Sequence, residues 1–203
     1  LSHTVTEIRG RDRLESVVIS QVDESFAPIP GTQKEYPCDT LILSVGLIPE
    51  NELTWMTGAL ADQQTRGAAV DEHYQTTVEG IFAAGNVLHV HDLVDFVSME
   101  AEALADSAAR YIKEGALPAC PLAVKGDQNV GQLTPSRISG QGDVQISFRV
   151  RKPMKGCTIQ LVQGDRVIKS VVKPKALPAE MIQIPLKAQA FVGKEDLEVR
   201  VVC

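Results

Sequence analysis

At 203 residues the chain is long enough to bury a proper core and to hold one large domain or two small ones. Its 44% apolar and 23% charged residues are those of an ordinary water-soluble globular protein, and with 4% aromatics the core must lean on Val, Ile, Leu and Ala. A formal charge of −6 argues against a nucleic-acid partner, because a phosphate-backbone binder needs a basic surface.

The opening "LSHTVTEIRG" has no initiator Met, so the chain reads as a piece of a longer or processed protein. The opening shows no charged start with an apolar middle, so no secretory leader is expected. No apolar run approaches the roughly 20 residues of a membrane span, so no span is expected. The cysteines at 38, 120, 157 and 203 form neither a C-x-x-C pair nor a zinc-finger spacing. Scattered thiols without a framework fit a reducing compartment, and a cytoplasmic location is the expectation.

The elements follow in chain order. Val5 and Ile8, then Leu14, Val17, Val18 and Ile19, predict two strands joined by a turn at residues 10–13. A loop with Pro28, Pro30 and Gly31 leads to "CDTLILSVGLIPE", whose unbroken Leu41-Ile42-Leu43 predicts a strand buried on both faces, as in a parallel sheet. "GAAVD" (67–71) is expected to be a short strand, and residues 81–84 a second buried one. The next signal is the strongest in the chain. Val97, Ala101, Leu104, Ala105, Ala108, Tyr111 and Ile112 recur at three- and four-residue spacing and predict one apolar helix face. Its small residues predict close packing on a sheet. Asp92 and Asp95 stand where caps and dipole-favoured acids belong, and Gly115 with Pro118 ends the helix. Trp55 and Met56 read as a core or subunit contact. Glu100, Glu102, Asp106, Arg110 and Lys113 read as the helix's solvated strip.

Beyond the helix the pattern changes. Gly115, Pro118, Pro121, Gly126 and Gly131 mark a linker, and no helical period follows. "DVQISFRVR", "MIQIPL" and "DLEVRVV" alternate, while "CTIQLVQGDRVIKSVV" predicts a hairpin about Gly164-Asp165. Short alternating strands at regular spacing predict a small β-sandwich. The expected fold class is thus α/β plus all-β. Residues 1–117 form the α/β-type region, with a β-meander over 1–45 and a second part over 46–117. Residues 118–130 form the linker and 131–203 the sandwich.

Two stretches carry a resemblance. In "CDTLILSVGLIPENEL" a buried strand runs into Ser44-Val45-Gly46-Leu47-Ile48-Pro49-Glu50-Asn51. About thirty residues later comes "GAAVDEHYQTTVEGIFAAGN", with Gly67, Val70, Asp71, Thr76 or Thr77, Gly80, Ile81, Phe82, Ala83, Ala84, Gly85 and Asn86 in place. In order and spacing the pair resembles the passage by which two-dinucleotide flavoproteins of the pyridine nucleotide–disulfide oxidoreductase superfamily return from their nicotinamide domain to their FAD domain. The likeness covers residues 1 to about 115. It implies a partial Rossmann-like FAD/NAD(P)-binding domain without its N-terminal half. The family's G-x-G-x-x-G phosphate loop, its second glycine fingerprint and a C-x-x-C redox pair are not in the sequence.

The resemblance implies further that Gly46, Gly85, Asn86 and Val87 approach FAD, Asn86 standing where the family has an Asp against a ribityl hydroxyl. An amide can serve there, since it both accepts and donates. Asp95, Phe96 and Val97, at the start of the helix, are then expected to face the flavin ring, where a helix N-terminus stabilises negative charge. FAD and NAD(P)H are the cofactors implied for the full-length protein, with the piece alone inactive and possessing only an edge of the site. His91 is the one catalytic candidate, as an acid or base beside a flavin. His89, His91 and Asp92 share metal-binding character, yet no third ligand stands at suitable spacing, and no metal is expected.

The residues leave other functions open. A non-catalytic interaction or assembly protein could be built on a flavoprotein remnant, and the chain could be a subunit of an amine or amino-acid dehydrogenase complex. The electron acceptor is not legible. A homo-oligomer or a partner subunit is expected, with the β module as docking surface.

Overall fold

The computed structural model describes residues 2–44 and 46–202. Val45 of the first motif and Cys203 therefore lie outside the described residues. The chain divides into two units, Leu1–Gly46 and Leu47–Cys203.

The alternation at the start of the first unit yields an antiparallel meander, β1 (His3–Arg9), β2 (Ser16–Gln21) and β3 (Lys34–Pro37), in that order across the sheet. The hairpin expected around residues 10–13 is present, and Val17 and Val18 of the central strand are buried. The strand expected at Leu41–Leu43 does not form. Residues 41–44 are irregular, and Ile42 and Leu43 are 87% and 63% exposed. A strand of a parallel sheet needs a neighbour for its N–H and C=O groups, and no described strand pairs with this run.

The second unit begins with a short helix, α1 (Glu52–Met56), followed by a looped segment without named strands. The strands expected at 67–71 and 81–84 are reduced to single bridges, Ala61 with Ala68, Asp71 with Arg137 and Gln75 with Phe82. Trp55 and Met56, expected in a core or subunit contact, are exposed in this unit. The long helix forms where its period predicts, as α2 (Val94–Glu114), and Gly115 ends it in a left-handed cap. Its inward face differs from the expected one. Val97, Glu100, Leu104, Ala108 and Tyr111 turn inward, whereas Ala101, Ala105 and Ile112 are exposed. No sheet packs on that small-residue stripe among the described residues.

The rest of the unit is a two-sheet β structure. One sheet has the order β10 (Ile182–Leu186), β7 (Val144–Val150), β5 (Val130–Thr134). The other runs β6 (Arg137–Ile138), β4 (Leu122–Gly126), β11 (Leu197–Val202), β8 (Met154–Gln163), β9 (Arg166–Ala176). All pairs are antiparallel except β4 with β11. Alternation sets the inner faces: Val144, Ile146, Phe148 and Val150 of β7 share one core with Leu197, Val199 and Val201 of β11. The hairpin at Gly164-Asp165 is present between β8 and β9. The stretch expected as a linker over 118–130 instead supplies β4, in mid-sheet. Pro118 and Pro121 precede that strand and Gly126 ends it, which masks the short alternation of Leu122 and Val124. The fold class, an α/β-type portion plus an all-β portion, is as expected from the sequence, while the boundary between the two units falls after Gly46 and not in the stretch 118–130.

Candidate functional site

The two sequence motifs are tied together by a residue that pattern reading passed over. Asn51 closes the first motif and precedes α1. It is buried, and its Nδ2 donates to the Val87 carbonyl at 2.6 Å, inside the second motif. An amide with donors to spare two residues after a Pro was the only sequence signal for this contact.

The second motif is a loop held by its own polar groups. Asp71 accepts N–H bonds from His73 at 2.9 Å and Gln75 at 3.1 Å, which turns the chain back on itself. Burial pushes the Asp71 carboxyl above its ordinary value, against those two backbone donors. The Thr76 N–H then donates to the Ile81 carbonyl at 2.8 Å, and the Ala83 N–H reaches the Tyr74 carbonyl at 3.0 Å. Gly67 passes so close to the chain beyond that a Cβ there would stand 1.9 Å from the Leu88 carbonyl oxygen. Only glycine allows that approach. Ala68, Val70, Ala83 and Leu88 fill the small core beneath.

The loop delivers Gly85. Ala84 is extended, then Gly85 takes φ 73° and opens a 3-10 turn over Gly85–Val87. That conformation strains any residue with a Cβ. The Gly85 carbonyl accepts from Leu88 and His89 N–H groups, and the Asn86 Oδ1 accepts the His91 N–H at 3.2 Å. The carboxamide of Asn86 is thereby oriented while the residue stays exposed. Val87 is exposed beside it.

Behind the turn lies a buried carboxylate. Glu100 of α2, expected on the solvated strip, is 8% exposed. Its Oε2 accepts the Gly85 N–H at 2.5 Å. Its Oε1 lies 3.2 Å from His89 Nε2, and Oε2 lies 3.3 Å from His91 Nε2. The two imidazoles stack at 4.2 Å between centroids. Burial raises the Glu100 carboxyl, but the bonds from His89, His91 and the Gly85 N–H outweigh it and hold the group down at about 2. Periodicity could not reveal this residue, because a Glu on a helix reads as solvent-facing unless its partners on another loop are known.

Beyond the turn the helix start is bare. Leu93 occupies the N-cap position and offers no side-chain hydrogen bond. Asp95 is exposed in the first turn, and Phe96 and Val97 are half-buried. Val97 Cγ1 lies 3.4 Å from where a Cβ on Gly85 would be, so the helix start and the turn are in contact. Asp92, expected as a cap, does other work. It pairs with Arg149 of β7 and accepts the Met181 N–H at 2.6 Å, and Arg149 also donates to the Val90 carbonyl at 2.9 Å. Glu72 makes a second tie to the sandwich, accepting the Ser139 N–H at 3.0 Å and its hydroxyl at 2.5 Å.

Of the residues expected at the site, Gly85, Asn86, Val87 and Val97 meet at this turn, Asp95 lies on the adjoining helix surface, and Phe96 lines a cavity with Tyr74, Met99 and Gln183 instead. Gly46 belongs to the first unit, where it is exposed at φ 88°. His91 turns its ring inward to Glu100 instead of outward beside Asn86, so the orientation expected of a catalytic acid or base is not the one observed. The third ligand missing from the sequence reading exists, since His89, His91 and Glu100 offer ligand atoms within 4.8 Å of one another. Glu72, His73 and Cys120 do so as well. Burial first, then the charges of Asp71 and Glu72, push the Cys120 thiol up to about 12, which keeps it protonated at neutral pH.

Arranged in this way, the residues present an oriented carboxamide on a buried glycine turn, next to a helix start whose first N–H groups have no side-chain cap. Such a surface suits a ligand with hydroxyls and a negatively polarised ring edge. Among the described residues no helix is long and apolar enough to cross a membrane.

Residues 1–110 match the family model described as pyridine nucleotide-disulphide oxidoreductase. The ferredoxin reductase component of chlorobenzene dioxygenase from Cupriavidus sp. (strain PS12) is 28% identical over 148 residues, 70% of this chain and 31% of the relative. Thioredoxin reductase from Treponema pallidum is 32% identical over 87 residues, 41% of this chain and 24% of the relative. Among solved structures, the thioredoxin reductase of Lactococcus lactis is similar at 25% identity and a TM-score of 0.46, over 55% of this chain and 35% of that one. The chain thus spans about a third or less of the length of the curated relatives it matches.

Proposed function

The chain belongs to the pyridine nucleotide-disulphide oxidoreductase family, and on that premise we propose that it is the C-terminal part of an FAD-dependent, NAD(P)H-linked oxidoreductase. In this reading it supplies the ribityl and flavin-facing edge of the FAD site. The observation that carries it is the Gly85–Asn86 turn with the uncapped start of α2 packed against it.

The residues fit that edge. Asn86 presents a fixed carboxamide to solvent, able to accept and donate to a ribityl hydroxyl. Gly85, without a Cβ, admits a close backbone approach. The first amides of α2 direct positive charge outward, which favours the negative charge a reduced isoalloxazine gains at its pyrimidine end. FAD, when bound, supplies hydride acceptance from NAD(P)H and onward electron transfer. The residues described here position and polarise it. A phosphate cradle would come from elsewhere in a longer protein. The exposed apolar run of Ile42, Leu43, Leu47 and Ile48 supports that extent, because such a run is ordinarily covered.

The test is made on the full-length protein. It is expected to be yellow, to contain FAD and to reduce a dye with NADH or NADPH. Asn86→Leu is expected to weaken FAD binding about tenfold, from loss of one to two hydrogen bonds to a buried ligand hydroxyl. A colourless protein, or unchanged flavin affinity and spectrum in the variant, would overturn the reading.

A further inference from the structure

We propose that Glu100 is the positioning residue of the Gly85–Asn86 turn, and that His89 and His91 act as the clamp that fixes its carboxylate. The inference rests on the flavin-edge reading above.

The geometry divides the carboxylate's bonds in an orderly way. One oxygen faces His89 Nε2, and the other faces both His91 Nε2 and the Gly85 N–H. All three partners must donate, because an ionised carboxylate only accepts. Both imidazoles therefore carry Nε2–H. Among the described residues their Nδ1 atoms are buried without a partner. An unpartnered acceptor is the tolerable kind of orphan, whereas a buried N–H without a partner is rare. The same fact weighs against a metal ion held by the two Nε2 atoms. Each imidazole would then carry Nδ1–H, and a metal-bound histidine almost always donates that proton to a second group. Here there is none.

The consequence reaches Asn86. At the back of the turn the N–H of Gly85, which stands at φ 73°, is satisfied by the Glu100 carboxylate of α2. The Asn86 carboxamide is set by the backbone N–H of His91, one of the clamp residues. Glu100 thus fixes both ends of the segment that presents Asn86. It touches no ligand itself.

The experiment uses the full-length protein and FAD as the probe. Glu100→Ala is expected to raise the FAD dissociation constant at least tenfold. Glu100→Gln keeps an acceptor for the Gly85 N–H but sets an amide N–H against one imidazole, and is expected to fall between the parent and Glu100→Ala. In the Glu100→Ala background, Asn86→Leu is expected to add little, because the amide is already misplaced. A merely structural Glu100 predicts additive losses, and that result would overturn the proposal. So would parental affinity in Glu100→Ala, or a Gln variant as weak as the Ala variant. If Glu100→Ala does not fold, long-range nitrogen-15 NMR of the parent decides. Nε2–H on both His89 and His91 supports the clamp, and a bare Nε2 on either removes it. A parent that binds no FAD but shows Nε2–H on both rings would sink the flavin reading and leave the clamp standing.

Discussion

In the sandwich, Ile138, Ile146, Phe148, Ile159, Leu161, Leu197 and Val199 have no exposed surface, and the two sheets meet through them. In the segment from Gly67 to the first turns of α2, the apolar core is Ala68, Val70, Ala83 and Leu88, and the other buried groups are Asp71, Thr76, His89 and Glu100. The two regions of one unit are held by different forces. Apolar burial is non-directional and tolerates exchange of shape. A buried carboxylate fixes the angle of each N–H that it accepts, and it loses much if one partner goes. Directional bonding suits a segment that must present Asn86 at one orientation, and an apolar core suits a module that must merely be stable.

The largest effect is expected in the sandwich. Phe148→Ala removes a fully buried ring from the centre of β7 and should cost about 3–5 kcal/mol. Urea unfolding followed by circular dichroism should show a lower midpoint with an unchanged slope. A cost under about 1 kcal/mol would mean that the two sheets do not share one close-packed core.

Acid should separate the regions by a smaller amount. The Glu100 carboxyl is held near 2 against an ordinary 4.5, so between those values the unfolded chain takes up a proton that the folded chain refuses. Its contribution is complete above pH 4.5 and is lost as pH falls from there through 2, on the order of 1–3 kcal/mol. The sandwich's ion pairs, Lys125 with Asp196 and Lys187 with Asp143, are exposed and contribute little. Amide exchange should accordingly show protection at Gly85 falling more than at Ile146 between pH 5 and pH 2. Equal losses at both would show that the regions unfold as one and would break the contrast.

The same division explains what the sequence disclosed. Apolar alternation is a local pattern, so β7, β10, β11 and the β8–β9 hairpin were legible residue by residue. So was α2, with its Gly115 ending. The strand expected at Leu41–Leu43 failed because a strand is a paired object, and apolar content cannot say whether a neighbour is present. β4 was hidden by Pro121 before it and Gly126 at its end. At the candidate site, Gly85 and Asn86 were expected from the resemblance that their motif carries. Glu100, Asn51 and Asp92 could not be placed in this way, since each gains its meaning from a partner 15, 36 or 57 residues away. A carboxylate's sequence neighbours do not reveal which backbone N–H it will meet.

The smallest effect belongs to the outer face of α2. Ile112 is 81% exposed and Met99 62%, so Ile112→Ser in the 203-residue chain should change stability by no more than about 0.5 kcal/mol. In a full-length flavoprotein of the proposed kind this face would meet other protein. The same substitution would then cost about 1.5–3 kcal/mol, the value of burying an isoleucine side chain. Paired thermal melts of the two lengths measure the difference directly. A near-zero cost in both would show that the helix keeps this face in water, and the stripe of Ala101, Ala105 and Ile112 would then lend no support to a covering sheet. A large cost only in the longer protein would make α2 a third kind of region, apolar by pattern like the sandwich, yet buried only when more of the protein is present.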